Sequence, residues 1–209
     1  MMTGSKKYFS NVAHQWDEMR KSFFSEQVRD KIYSIANPAR GDVVADIGAG
    51  TGYLTEGLIN KGIPVIAVDQ SEEMLDVMKR KFSGCDLIDY RVGESSALPI
   101  DNESVNYAFA NMYLHHVKIP VKAIKEIYRI LKPGGRLIIT DLDEHNFEFL
   151  RNEHNDQWMG FKRDDIKKWF FESGFKGVVI DCAGEKCCSD SSAGDERAEI
   201  SIFIAHGEK

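Results

Sequence analysis

The sequence predicts an α/β protein: a mostly parallel sheet with helices on both faces. Three observations carry this expectation. Residues 43–52, Val-Val-Ala-Asp-Ile-Gly-Ala-Gly-Thr-Gly, join a short apolar run to three alternating glycines and an amphipathic stretch. That is the pattern of a buried strand turning tightly into a helix. From Pro38 to about residue 141, apolar runs and amphipathic segments alternate, as in successive β-α units. The end of the chain differs, with two strand-like runs joined only by a loop, a connection that allows only an antiparallel pair.

Residues 8–37 carry Phe9, Val12, Trp16, Met19, Phe23, Val28, Ile32 and Ile35 at helical spacing. They predict one or two amphipathic helices stopping at Asn37-Pro38. The chain so divides into an N-terminal helical cap, 1–37, and a main domain, 38–209. Strands are expected at 42–47, 64–69, 87–92, 104–110 and 135–141, with helices at 51–61, 71–82 and 120–131. Leu131-Lys132-Pro133-Gly134-Gly135 stops the last of these and turns into a strand. Leu142 to Phe161 shows no regular pattern, and a structureless insertion of that length tends to be a lid. A helix opens at Asp164 or Asp165 and closes at Gly174. The runs 177–181 and 198–205 form the final pair, with Ile200, Ile202 and Ile204 on one face, and 182–197 reads as their loop.

Composition fits one soluble domain: 209 residues, 43% hydrophobic and 29% charged. With 27 Lys and Arg against 33 Asp and Glu, the net charge is −6, and there is no long basic run. Nucleic acid is therefore not the expected partner. No apolar stretch approaches the ~20 residues of a membrane span. Met1 to Lys7 lacks the apolar core of a signal peptide, so a cytoplasmic location is expected, with the four cysteines as thiols.

The glycine loop implies a nucleotide-like ligand. Glycines let the backbone approach closely at positive φ, and free N–H groups at the helix start point toward the ligand. A dinucleotide fingerprint needs a third glycine at position 53, which is Tyr53. The actual order is Gly48-Ala49-Gly50-Thr51-Gly52 with Asp46 just ahead. Asp46 suits an ammonium group, or the fixing of the loop, better than a pyrophosphate. Asp69 ends the second strand, 21 residues beyond Gly48, where a carboxylate can accept from both ribose hydroxyls or simply cap the following helix.

These features resemble the class I S-adenosylmethionine (SAM)-dependent methyltransferases, and particularly small-molecule enzymes like those of ubiquinone and menaquinone biosynthesis. The glycine loop resembles motif I, and Asp69-Gln70-Ser71-Glu72-Glu73-Met74-Leu75 resembles the second segment. Gly93-Glu94-Ser95-Ser96-Ala97-Leu98-Pro99 resembles the third, with Glu94 and Ser95 where the family contacts adenine. Asn111 and Met112 end the fourth strand, beside the expected sulfonium. The resemblance implies a seven-stranded Rossmann-like sheet in the order 3-2-1-4-5-7-6, the last strand antiparallel. It also implies SAM as cofactor, a small-molecule methyl acceptor and a monomer or homodimer.

In a parallel sheet, ligands bind outside the carboxyl ends of the strands. The loops 111–119, 142–161 and 182–197 should project there, and the resemblance implies that the N-terminal helices fold over the same edge; together these segments carry five of the six histidines, leaving His206 at the opposite edge. His115 and His116 are the candidates for a general base, since imidazole titrates near neutrality, although paired histidines there also serve in packing. Tyr8, Trp16, His145 and Trp158 are expected to wall the acceptor side and close over it. Cys182, Cys187 and Cys188 leave open a thiophilic site for a soft ion or arsenic(III), though their spacing is not that of structural zinc. A metalloid methyltransferase and a non-catalytic SAM-binding domain are therefore the alternative functions.

Overall fold

A computed structural model describes residues 4–209; Met1, Met2 and Thr3, the start of the expected cap, lie outside the described residues. The strands are β1 Val44–Ile47, β2 Val65–Asp69, β3 Ile88–Val92, β4 Val105–Asn111, β5 Leu131–Leu142, β6 Lys176–Asp190 and β7 Arg197–Glu208. They form one sheet in the order β3-β2-β1-β4-β5-β7-β6. β3, β2, β1, β4 and β5 pair in parallel, and β7 runs antiparallel between β5 and β6. This is the expected class I methyltransferase topology.

Two apolar layers cover the sheet. On one face α3 (Gln27–Ala36), α4 (Tyr53–Ile59) and α5 (Glu72–Lys81) pack on Val44, Val65, Phe109, Ile138 and Ile204. On the other, α6 (Pro120–Ile130) and α8 (Arg163–Ser173) cover Ala45, Val68, Ala108, Ile139 and Phe203. The helices form for local reasons as well. Ser71 caps α5, its Oγ accepting from Met74 N at 3.2 Å. Glu72 and Glu73 in the first turn and Lys79, Arg80 and Lys81 in the last complement the helix dipole. Pro120 starts α6, where its missing N–H costs nothing, and Ala123, Ile124, Ile127 and Ile130 bury one stripe.

Three expectations need correction. The N-terminal segment holds three helices, α1 Gly4–Val12, α2 Trp16–Phe23 and α3. The break after α2 comes where Phe24 turns extended and Ser25 Oγ accepts from Gln27 N. Residues 142–161 are not structureless. They contain α7, Glu148–His154, and their ends are tied together by Glu144 N to Phe161 O and His145 N to Met159 O. Finally, 182–190 is strand and not loop, because β6 continues past a bulge between Cys182 and Lys186. An irregular register breaks the period-2 alternation that would have marked this extension.

Candidate functional site

At the carboxyl end of β1 the chain makes the close turn its glycines allow. Gly48, Gly50 and Gly52 have φ of +71°, +55° and +93°, values strained for any side chain. At Gly48 space forbids one too: a Cβ would lie 2.3 Å from the Tyr113 ring. Gly48 N and Ala49 N donate to Val68 O, and Gly50 N donates to Asp69 Oδ2 at 2.9 Å. Asp69 Oδ1 accepts from Ser71 N at 2.8 Å. Asp69 therefore holds the loop and the start of α5 together, and each oxygen retains a lone pair for a ligand hydroxyl. Asp46 is buried, accepting from Thr55 Oγ1 at 2.7 Å, and burial pushes its pKa up to about 7.

A cavity of about 360 Å³ opens over this loop. Asp46, Gly48, Ala49, Gly50, Thr51, Asp69, Gln70, Glu94, Ser95, Asn111 and Met112 all line it, while Gly52 sits behind it at the start of α4. Glu94 is exposed at the rim. Asn111 is fixed by Thr140 Oγ1, which donates to its Oδ1 at 2.8 Å. Met112 has φ +49°, a left-handed conformation of the kind held at functional sites. α2 closes the far side, where Thr51 Oγ1 donates to Asp17 Oδ1 at 2.6 Å.

Arg20 also lines this cavity, a role that the sequence analysis missed. Its guanidinium lies 4.2 Å over the Tyr53 ring, and Nη2 pairs with Glu26 at 2.9 Å. Nε and Nη1 are buried without a partner. Two buried donors without a partner, on a residue that lines the cavity, are what a carboxylate would satisfy, so the residues present fit an amino-acid end beside the glycine loop and a ribose at Asp69.

A second, smaller cavity of about 50 Å³ adjoins the first, sharing Phe9, Trp16, Phe24, Met112 and His116 as a common wall. Tyr8, His115, His154, Asp156 and Cys187 line its remainder. His115 and His116 stand on a short 3₁₀ turn, Leu114–His116. His115 Nδ1 lies 2.7 Å from Asp141 Oδ1. Asp141 also accepts from the backbone N–H groups of Leu114, His115 and Leu142. Gln157 N and Trp158 N both donate to His115 O, which brings Asp156 against the histidine pair. Asp156 Oδ1 is 3.9 Å from His115 Nε2 and 3.5 Å from His116 Nδ1.

Electrostatics separates the two histidines. Burial lowers the His115 pKa, but the Asp141 and Asp156 carboxylates outweigh it and lift the value to about 9. His116 is held well below its ordinary value by burial and by His115. Burial raises Asp156 to about 6. Tyr8 OH bonds His154 Nδ1 at 2.8 Å, tying α1 to α7.

Two expected wall residues lie elsewhere. His145 lines neither cavity; its Nδ1 accepts from Phe147 N and its ring packs on Phe147. Trp158 turns outward, its indole donating to Val117 O and stacking with Phe161 and Trp169. The thiophilic site does not form. Strand alternation sends Cys187 and Cys188 to opposite faces, and Cys182 is exposed, its Sγ accepting from Gly184 N. Among the described residues, the set of three His, Cys, Asp or Glu side chains that converges is His115, His116 and Asp156. His206 lies at the other edge, beside Arg136, as expected.

The family described as "Methyltransferase domain" matches residues 45–139. The chain is 33% identical over 138 residues to a demethylmenaquinone methyltransferase of Clavibacter sepedonicus, covering 64% of this chain and 56% of that one. It is 40% identical over 100 residues to an uncharacterized methyltransferase of Mycobacterium tuberculosis, covering 48% and 40% respectively. The chain thus spans about half the length of these curated relatives. Its fold is similar to a putative Haloferax volcanii methyltransferase solved with its Trm112 activator, with TM-score 0.78, 20% identity and 96% of both chains covered. Glycine loop, strand-end acids, sheet order and relatives agree: residues 45–139 match a methyltransferase domain, set in a sheet with the strand order of the class I SAM-dependent methyltransferases.

Proposed function

We propose that this protein transfers the methyl group of SAM to a small-molecule acceptor whose reacting end enters the smaller cavity. The observation that carries this reading is the adjoining pair of cavities. One is built on the glycine loop, and the other meets it at Met112 and His116, where the methyl group would emerge. Bound SAM supplies an already activated methyl group, so the protein's task is chiefly positioning. Asp69 would hold the ribose, Arg20 the carboxylate, and Glu94 and Ser95 the adenine. Phe9, Trp16 and Phe24 exclude water from the junction.

On the acceptor side, His116 is unprotonated near neutrality and able to take a proton, while His115 is oriented by Asp141. The aromatic wall of Tyr8, Phe9, Trp16 and Phe23 favours an acceptor with a flat or apolar body, reached through a movement of α1 and α2. A macromolecular acceptor fits this covered geometry poorly. We also propose a cytoplasmic monomer or homodimer; among the described residues, no helix is long and apolar enough to cross a membrane. The test is conversion of SAM to S-adenosylhomocysteine (SAH) across a metabolite panel. Turnover with at least one small acceptor is expected, and turnover only with protein or nucleic acid would overturn the reading.

A further inference from the structure

Six buried side-chain polar atoms among the described residues have no hydrogen-bond partner, and five of them belong to residues lining the two cavities. Unsatisfied buried polar atoms are rare, and a cluster of them calls for a missing partner. Arg20, which lines the larger cavity, accounts for two. In the smaller one, His116 Nδ1 and Asp156 Oδ1 face each other at 3.5 Å without hydrogen-bond geometry. His115 Nε2 converges on the same point, 3.9 Å from Asp156 Oδ1. All three ligand atoms lie within 4.8 Å of one another, on side chains no more than 10% exposed.

We propose that His115 Nε2, His116 Nδ1 and Asp156 Oδ1 bind a divalent first-row transition ion, such as zinc, at the wall of the acceptor cavity. Two imidazoles and a carboxylate suit borderline ions of this class and not Mg²⁺ or Ca²⁺, which require mostly oxygen. Ligands about 2.0–2.2 Å from a tetrahedral ion lie roughly 3.3–3.6 Å apart; the carboxylate spacings of 3.5 and 3.9 Å are near that range, and the two imidazoles, within 4.8 Å of each other, close on a common ion by a modest ring movement. The supporting contact is in place. Asp141 takes His115 Nδ1 at 2.7 Å, holding a proton there, so that the ion displaces only the Nε2 proton and Nε2 becomes the donor atom. Two further N–H donors, Leu114 and Leu142, orient that carboxylate.

Three protein ligands leave a position open, and all three line the acceptor cavity. A donor atom of the acceptor can occupy that position beside the methyl-bearing junction. Coordination would then ease loss of the acceptor's proton, a task otherwise left to His116. This consequence rests on the methyltransferase reading; binding of the ion does not.

The test is calorimetric titration of Zn²⁺ into the metal-stripped full chain, with Mg²⁺ in parallel and visible absorption of a Co²⁺-loaded sample. One Zn²⁺ per chain and no Mg²⁺ binding are expected. Asp156→Asn and His116→Gln should each abolish this binding, and Asp141→Asn should weaken it about 10–100-fold. Each variant is checked for a cooperative thermal transition. A wild-type chain that takes up no Zn²⁺ or Co²⁺, or a folded Asp156→Asn that binds Zn²⁺ as tightly as wild type, would overturn the proposal. SAH titration of the same wild-type sample separates the two readings. Absence of SAH binding refutes the methyltransferase reading alone, and SAH binding without Zn²⁺ binding refutes only the metal site.

Discussion

Arg20 and Asp46 show how single residues set the character of the larger cavity. Arg20 keeps two buried donors unpartnered, and a carboxylate is the partner that best satisfies them. Arg20→Met should weaken SAH binding by about 10–100-fold, as expected for losing a charge-assisted contact. It should leave 5′-methylthioadenosine, which lacks the carboxylate, bound as before. Equal loss for both ligands in calorimetry would mean that Arg20 acts only through the fold. Asp46 is the opposite case, an acid in a site that disfavours its charge. Its folded pKa of about 7 lies above the ordinary carboxylate value. Its contribution to stability is therefore complete below about pH 4 and is lost as the pH rises through about 7. Asp46→Asn should be more stable than wild type at pH 8, by on the order of a few kcal/mol, and about equally stable at pH 4. Parallel pH–stability curves for the two proteins would contradict this assignment.

Among the elements, α1, α2 and the 142–161 segment are tied across the site by few contacts. Side-chain hydrogen bonds, among them Thr51–Asp17, Lys81–Asp17, Ser10–Glu73, Gln70–Ser5 and Tyr8–His154, hold the first two helices in place. Such thinly attached segments open locally at low free energy. Added SAH should slow amide exchange in α1 and α2, and in the 142–161 segment where it meets Tyr8, because opening becomes linked to ligand release. Exchange in these segments that is unchanged by saturating SAH would show that they are not a closing cover. What could be read of these elements from sequence depended on how local their signals were. The glycine turn is legible because Gly48, Gly50 and Gly52 are needed where they stand, and α6 because one stripe carries its apolar residues. The extension of β6 is not, because Glu185-Lys186-Cys187-Cys188-Ser189-Asp190 is polar and follows a register shift. α7 is short, and its N-cap residue Phe147 makes no side-chain capping bond, so nothing in the sequence marks its start.

At the scale of the whole molecule, the sheet gathers residues far apart in sequence at one edge. The cofactor side is readable in advance because each strand end brings its own motif: Asp46 with the glycines, Asp69, Glu94, and Asn111 with Met112. The acceptor side is not. His115 meets Asp141, 26 residues later, and His115 and His116 meet Asp156 only because the 142–161 segment folds back onto His115 O. No local spacing encodes such a meeting. Trp158 and His145 make the same point in reverse, since both lie in the right segment and neither lines a cavity. The central claim is that the cavity over the glycine loop is a SAM site anchored by the acid at the end of β2. Calorimetric titration of SAH into the wild-type chain and into Asp69→Ala tests it most directly. One SAH per wild-type chain is predicted, weakened in the variant by roughly 1.5–3 kcal/mol; no binding to wild type, or equal affinity in the two proteins, would contradict it.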